Sequence, residues 1–187
     1  MKRYNIQILG RADHAGTTPM NMRYDALAGT ANIIEYIEKA AKKYAGAVAT
    51  VGVCTISPNA VNTVPEKVEF SLDIRSMNSN ELHSLEKDIL KHLEKTVQER
   101  NLTYEMQTKL EVEPSDMDDK LKSYLRQSVL KLGYSSININ SGAGHDALPI
   151  SRKISTAMLF VPSKGGRSHC PEGYSKPEKK KKTVHVM

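Results

Sequence analysis

The residues with the clearest capacity for chemistry are histidines beside glycine. In Gly10-Arg11-Ala12-Asp13-His14-Ala15-Gly16-Thr17-Thr18-Pro19 a histidine stands between two glycines, just after a strand-like stretch. Tight backbone on both sides exposes the imidazole, which suits a donor to a developing oxyanion or a metal ligand. The same segment also reads as a strand-to-helix turn, with Thr17 or Thr18 capping the next helix and Arg23 and Asp25 decorating its first turn. His145 follows Ser141-Gly142-Ala143-Gly144 and precedes Asp146, a loop of small residues in which an imidazole can approach a ligand closely. His169 follows an apolar run and Gly165-Gly166-Arg167-Ser168. Metal ligands in α/β folds often lie just beyond strand ends, but two loop histidines do not make a zinc site, which takes three or more protein ligands.

Arg75 closes a run in which Val68, Phe70, Leu72 and Ile74 alternate with Glu69, Ser71, Asp73 and Arg75. If helices cover the apolar face, the guanidinium looks outward, and its fork suits a carboxylate ligand. The competing reading is a surface arginine paired with Glu69 or Asp73. Asn62, in Pro58-Asn59-Ala60-Val61-Asn62-Thr63-Val64-Pro65, offers a donor and an acceptor to an amide-like substrate, or bonds its own backbone in a turn. Lys164-Gly165-Gly166 is too short for a phosphate loop. Cys54 reads as a small buried or half-buried hydrophobe, Cys170 has no evident base beside it, and two cysteines make no disulfide framework.

The elements that carry these residues follow from hydrophobic period. Tyr4, Ile6 and Ile8 alternate as a half-buried strand, and Leu27, Ala31, Ile34, Ile37 and Ala41 form one stripe of a helix that Gly46 stops. Ala47 to Ile56 is rich in Val, Thr and Ala and predicts a second strand, and residues 68–75 a third. Asn78 with Glu81 reads as a capping box for a helix carried by Leu82, Leu85, Ile89 and Leu93. Leu102, Tyr104, Met106, Thr108 and Leu110 give the fourth strand. The order is β-α-β-β-α-β, a two-layer sandwich with both helices on one face of the sheet. Pro114 marks a boundary. Beyond it, Ser115 with Asp118 opens a helix stopped at Gly133, and short strands are expected at Ile137 to Ile139 and Ala157 to Val161. One helix and two short strands close no core alone, so this part reads as an incomplete piece of a larger α/β layer.

The chain has 187 residues and a formal charge of +6. From Ser163 onward the balance is +5, leaving +1 for the other 162 residues. The basicity belongs to a tail, not to a folded face as in a dedicated nucleic-acid binder. A β-α-β-β-α-β reader of single-stranded RNA needs aromatics on its open sheet face. This chain has two Phe and no Trp, and Phe70 falls in phase with the buried residues, so no specific nucleic-acid partner is expected. No apolar run approaches 18 residues, so no membrane span is expected, and the N-terminus lacks a signal-like stretch. The expected location is cytoplasmic.

Taken together, Arg11 to Met20, Pro58 to Pro65, Leu72-Asp73-Ile74-Arg75, Ser141 to Ala147 and Met158 to Ser163 with Gly166-Arg167-Ser168-His169 resemble one family in its order. It is the zinc-dependent amidohydrolases that include N-carbamoyl-L-amino acid hydrolase, allantoate amidohydrolase and β-ureidopropionase, relatives of dizinc aminoacylases and exopeptidases. The resemblance implies that residues 1–113 are a lid that also makes the homodimer, that 114–175 are the C-terminal portion of the catalytic domain, and that 176–187 are a basic tail. It further implies that Arg75 holds the substrate carboxylate and Asn62 contacts the substrate. His14 would reach into the partner subunit's site to stabilise the tetrahedral intermediate, His145 would help polarise the scissile group, and His169 would ligate zinc (or manganese). The expected reaction is attack of a metal-activated water on the C–N bond of a ureido amino acid or related linear amide that carries a carboxylate.

The family's remaining metal ligands and general base lie on a segment upstream of the lid, and no matching motif occurs in these 187 residues. The expectation is therefore a truncated product, a gene fragment or half of a split enzyme completed by a separately encoded N-terminal half, inactive alone. The alternative is a non-catalytic dimerisation or carboxylate-binding module. The family would continue past Pro177 into a long apolar helix, where this chain has Glu178 and four lysines.

Overall fold

The structure is a computed structural model that describes residues 1–167, 170 and 173–186. Two compact units divide the chain, Met1–Pro114 and Ser115–Met187.

Unit one is built around β1 (Lys2–Leu9) and β6 (Lys67–Ser76), antiparallel neighbours in register from Lys2 opposite Ile74 to Leu9 opposite Lys67. Outside them lie β7 (Thr103–Glu111) on β1, and β3 (Ala47–Thr50) and β4 (Cys54–Ser57) both on β6. The stretch expected as one strand is two, because Ser71 interrupts the pairing. Its Oγ accepts from the Gly52 and Val53 amides, while its own amide donates to the Val53 carbonyl at 3.0 Å. The separate ribbon of β2 (Asp13–His14) with β5 (Thr63–Val64) was not legible in the sequence, two residues being too few to show a period.

Alternation decides which face is buried. Tyr4, Ile6, Ile8, Val68, Phe70, Leu72 and Ile74 point to one side, each at most 3% exposed. Against them pack α1 (Ala26–Ala41) and α2 (Ser79–Glu99). Each large apolar side chain so enclosed contributes about 1.5–3 kcal/mol. The mixed α/β class and the two-layer β-α-β-β-α-β order hold, but the buried stripe of α1 is Ala26, Thr30, Ile33, Ile37 and Ala40, not the Leu27, Ala31 and Ile34 line. Both lines are apolar or small. Ala26, Gly29 and Thr30 present the smaller atoms that let the helix lie close to the sheet, which hydrophobic period does not distinguish.

Helix ends follow their local chemistry. Asp25 caps α1 by accepting from the Ala28 amide at 2.9 Å, so neither Thr17 nor Thr18 is the cap. Asn78 caps α2 as expected, but the box is not reciprocal: Glu81 accepts from the Ser76 hydroxyl at 3.0 Å, and the same hydroxyl receives the Asn78 amide. Beyond α2, Asn101 takes a positive φ of 53° and the Leu102 amide donates to the Val97 carbonyl, a Schellman closure. Cys54, expected to be at least half buried, is exposed on the outer strand β4.

In the second unit α3 (Asp119–Lys131) is capped by Asp118, which accepts from the Leu121 amide, and ends at Gly133 with φ 74° and a Tyr134 to Val129 closure. Among the described residues this unit has no strand. Residues 137–139 and 157–161 are irregular, with Ile137 83% and Phe160 41% exposed, because no neighbouring strand is there to satisfy their backbone groups. The short α4 (Ala147–Ser151) follows His145. The lysine-rich end, expected as a tail, is helical as α5 (Pro177–Val186): Val186 is buried and Lys182 lies over the Tyr134 ring at 4.7 Å. No described helix is long and apolar enough to cross a membrane.

Candidate functional site

At one end of the sheet, Gly10 donates to the Glu66 carbonyl at 2.7 Å and the chain turns into β2. Pairing of His14 with Thr63, and the Ala15 amide on the Asn62 carbonyl at 2.9 Å, fasten the His14 segment to the Asn62 segment. Arg23 ties the loop from behind by donating to the Thr18 carbonyl at 3.0 Å and the Ala15 carbonyl at 2.6 Å. The sequence reading left it as first-turn decoration, since nothing local announces a long-range bond to carbonyls. Arg11 meets Asp13 at 2.9 Å. His14 Nδ1 accepts from the Gly16 amide at 3.1 Å. That bond leaves the ring proton of a neutral imidazole on Nε2, so an exposed N–H donor faces away from the loop. Asn62 is exposed in the same corner.

Arg75 lies near the other end of β6, on the face opposite the helices. It donates from Nε to Asp73 Oδ1 at 2.7 Å and from Nη2 to Asp73 Oδ2 at 3.2 Å. Arg3, directly opposite Asp73 in β1, donates to the same Oδ2 at 2.9 and 2.6 Å. Partial burial pushes the Asp73 carboxyl up, but the two guanidinium groups outweigh it and hold the group below its ordinary value. The Asp73 bonds in turn raise Arg75. The fork-against-carboxylate geometry is the strong, directional kind of ion pair.

Eight steps along β6 separate Lys67, beside the His14 corner, from Arg75, so roughly 26 Å of strand lies between them in one chain. The structure thus gathers His14 with Asn62 and sets both far from Arg75. Sequence order, in which Asn62 and Arg75 are near neighbours, gave no sign of this.

In the second unit His145 is half-buried, with Nε2 and the Ser141 hydroxyl 2.8 Å apart and its ring edge-on to Phe160 at 5.6 Å. Its carbonyl receives the Leu148 amide at the start of α4. A glycine-rich loop closed by a short helix holds this imidazole in one place. His169 lies outside the described residues.

Among the described residues one trio brings metal-ligand atoms together: His83, Glu111 and Glu113, within 4.8 Å of one another. Their carboxylates already take Lys2 Nζ on Glu111 at 2.7 Å and the Ser79 hydroxyl on Glu113 at 2.7 Å, and His83 Nδ1 bonds the Ser79 carbonyl. None of the expected site residues belongs to it, and an ammonium in contact opposes a second cation. The trio does not bear on the expected metal centre, whose expected ligand on this chain, His169, is outside the described residues. The trio itself escaped sequence reading because His83 is set against two glutamates some thirty residues on, one of them brought to the helix face by a bulge.

A family model described as the peptidase dimerisation domain matches residues 1–101. Allantoate amidohydrolase of Bacillus subtilis is 34% identical over 93% of this chain and 42% of its own length. N-carbamoyl-L-amino-acid amidohydrolase of Paenarthrobacter aurescens is 33% identical over 97% of this chain and 44% of its own. A crystal structure of an amidase of the hydantoinase/carbamoylase family from Burkholderia vietnamiensis superposes with a TM-score of 0.91 at 28% identity, covering 99% of this chain and 45% of that one. The chain thus spans less than half the length of these relatives. On the matched dimerisation fold, the chain belongs to the peptidase dimerisation domain family, and its sequence is similar to allantoate amidohydrolase and N-carbamoyl-L-amino-acid amidohydrolase.

Proposed function

We propose that this chain is the dimerising, substrate-holding portion of a metal-dependent amidohydrolase that cleaves the C–N bond of N-carbamoyl (ureido) amino acids or related linear amides. The observation that carries the reading is the separation of His14 and Asn62 from Arg75 along β6. No small ureido acid bridges roughly 26 Å, so one site takes Arg75 from one copy and His14 from another. The match to a dimerisation domain supports such a second copy.

In this reading residues 1–113 are the lid and dimerisation domain, residues 114–175 the C-terminal portion of the catalytic domain and residues 176–187 its basic end. Arg75 receives the substrate carboxylate in a bidentate grip. Asn62 donates to and accepts from the ureido group. His14 Nε2–H faces the oxygen on which charge develops, and His145, fixed by Ser141 and α4, polarises the scissile carbonyl. A zinc or manganese ion would supply the activated water. His169 is proposed as one ligand, the others and the general base lying on a segment outside these 187 residues.

Calorimetric titration with N-carbamoyl-L-alanine, alongside light scattering, tests the proposal. The expected result is a dimer that binds the acid, fails to bind the corresponding carboxamide, and loses binding in Arg75→Ala. A monomer that binds both ligands equally would overturn it. Binding of the acid by a dimer to which no metal and no second chain restores hydrolysis would favour a carboxylate-binding module instead.

A further inference from the structure

We propose that Asp73 is a positioning residue for Arg75, and that Arg3 is the brace that holds Asp73 in place while Arg75 grips a ligand carboxylate. The inference rests on the reading of Arg75 as the carboxylate-binding residue. Asp73 and Arg75 are alternate residues of β6, so both side chains leave the sheet on the face away from the helices. Arg3 reaches the same face from the cross-strand position. Asp73 therefore sits between two arginines, receiving the Nε and Nη2 of Arg75 at 2.7 and 3.2 Å and the Nε and Nη2 of Arg3 at 2.9 and 2.6 Å.

Two consequences follow from that geometry. An arginine side chain is rich in rotamers, and a bond through Nε and Nη2 fixes the guanidinium plane before any ligand arrives, which leaves less freedom to be lost on binding. Two guanidinium groups also converge on the one carboxylate, so Asp73 orders both cations on the open sheet face at once. Asp73 is mostly covered, its side chain 19% exposed against 45% for Arg3, which places it behind the cations rather than in front of them.

The test uses the 187-residue chain and N-carbamoyl-L-alanine, with Asp73→Asn, Asp73→Glu, Arg3→Gln and Arg75→Ala. Asp73→Asn is expected to weaken binding about tenfold, Arg3→Gln a few-fold, and Asp73→Glu to recover part of the loss, an effect of misplacement and not of lost contact. The Arg75 Nε–H signal in a proton–nitrogen spectrum should be sharp in the parent chain and in Asp73→Glu, and broadened in Asp73→Asn with the fold intact. Arg3→Gln, on a more exposed side chain, carries the same spectroscopic test should Asp73→Asn not fold. Unchanged affinity and an unchanged Arg75 signal in both variants, with binding abolished in Arg75→Ala, would overturn the positioning role and leave the carboxylate reading standing. Absence of binding in the parent chain, or full binding in Arg75→Ala, would overturn both.

Discussion

A Cβ built on Gly10 lies 2.0 Å from the Tyr24 carbonyl oxygen and 3.0 Å from Leu102 Cδ2. Backbone cannot yield as a flexible side chain does, so Gly10→Ala is expected to cost about 2–3 kcal/mol, read as a lowered denaturation midpoint. Because Gly10 also donates to Glu66 at the root of the His14 corner, the same variant should loosen the His14 signals in a proton–nitrogen spectrum. Asp73 makes a pH prediction. Its folded pKa lies below the ordinary carboxylate value of about 3.9, so its stabilisation is present above that value and is lost as pH falls through the folded one. The melting temperature of the parent chain should therefore decline more steeply below about pH 4 than that of Asp73→Asn. At this scale the sequence carried a good deal. Period-two alternation placed Arg75, Asp73 and Glu69 on one face and offered Glu69 or Asp73 as the partner in the surface-pair reading; the structure has Asp73. Arg3 was equally in phase and went unnoticed, because only the register of β1 on β6 brings it opposite Asp73.

Element boundaries were legible where a cap or a breaker is local, as at Asn78 and Gly133, though α3 is capped by Asp118 and does not begin at Ser115. They were not legible where the partner is distant. In β7 the register on β1 shifts between Arg3 and Tyr4, pairing Tyr4 with Thr108 but Arg3 with Leu110. The extra residue turns Leu110 to the open face and Glu111 to the helix face, against the simple alternation that put Leu110 with Met106. Glu111 thereby meets Lys2, which is 5% exposed and also bonds Glu86 at 2.9 Å. Burial would lower the Lys2 pKa, but the two carboxylates raise it above its ordinary value, and Tyr4 donates to the same Glu86. Glu86→Ala leaves a buried ammonium with one exposed partner and is expected to cost about 3 kcal/mol, measured by denaturant unfolding. Double replacement Lys2→Met with Glu86→Leu should recover most of that loss, since nothing charged is then left buried. Between the helices, Tyr36 stacks on His92 at 3.7 Å and His92 bonds Asn32 at 2.9 Å. Hydrophobic period does not reveal this contact, because i to i+4 patterns do not show which face meets a neighbouring helix.

For the whole molecule, the proposed two-copy site makes a mixing prediction. Asn62→Ala, in the His14 corner, and Arg75→Ala chains should each bind N-carbamoyl-L-alanine poorly. After reassortment of subunits about half the dimers are mixed, each with one site intact and one doubly defective, so about a quarter of the parent sites should return. Titration stoichiometry measures this, and a mixture no better than its components would refute sharing across the dimer. By itself the sequence determined the mixed α/β class, the alternation of strand and helix through the first hundred residues, the break at Pro114 and the kinship carried by its motifs. All of these are written in local period, in caps and in short contiguous strings. Only the tertiary structure decided that Asn62 stands with His14 and not with Arg75, that Asp73 is held from both sides, and that the lysine run is a helix with Lys182 on Tyr134. The reason is that each is a pairing between residues far apart in the chain, set by strand register and by which side chain covers which. Hydrophobic period says that a face will be buried; it does not say what will be laid against it.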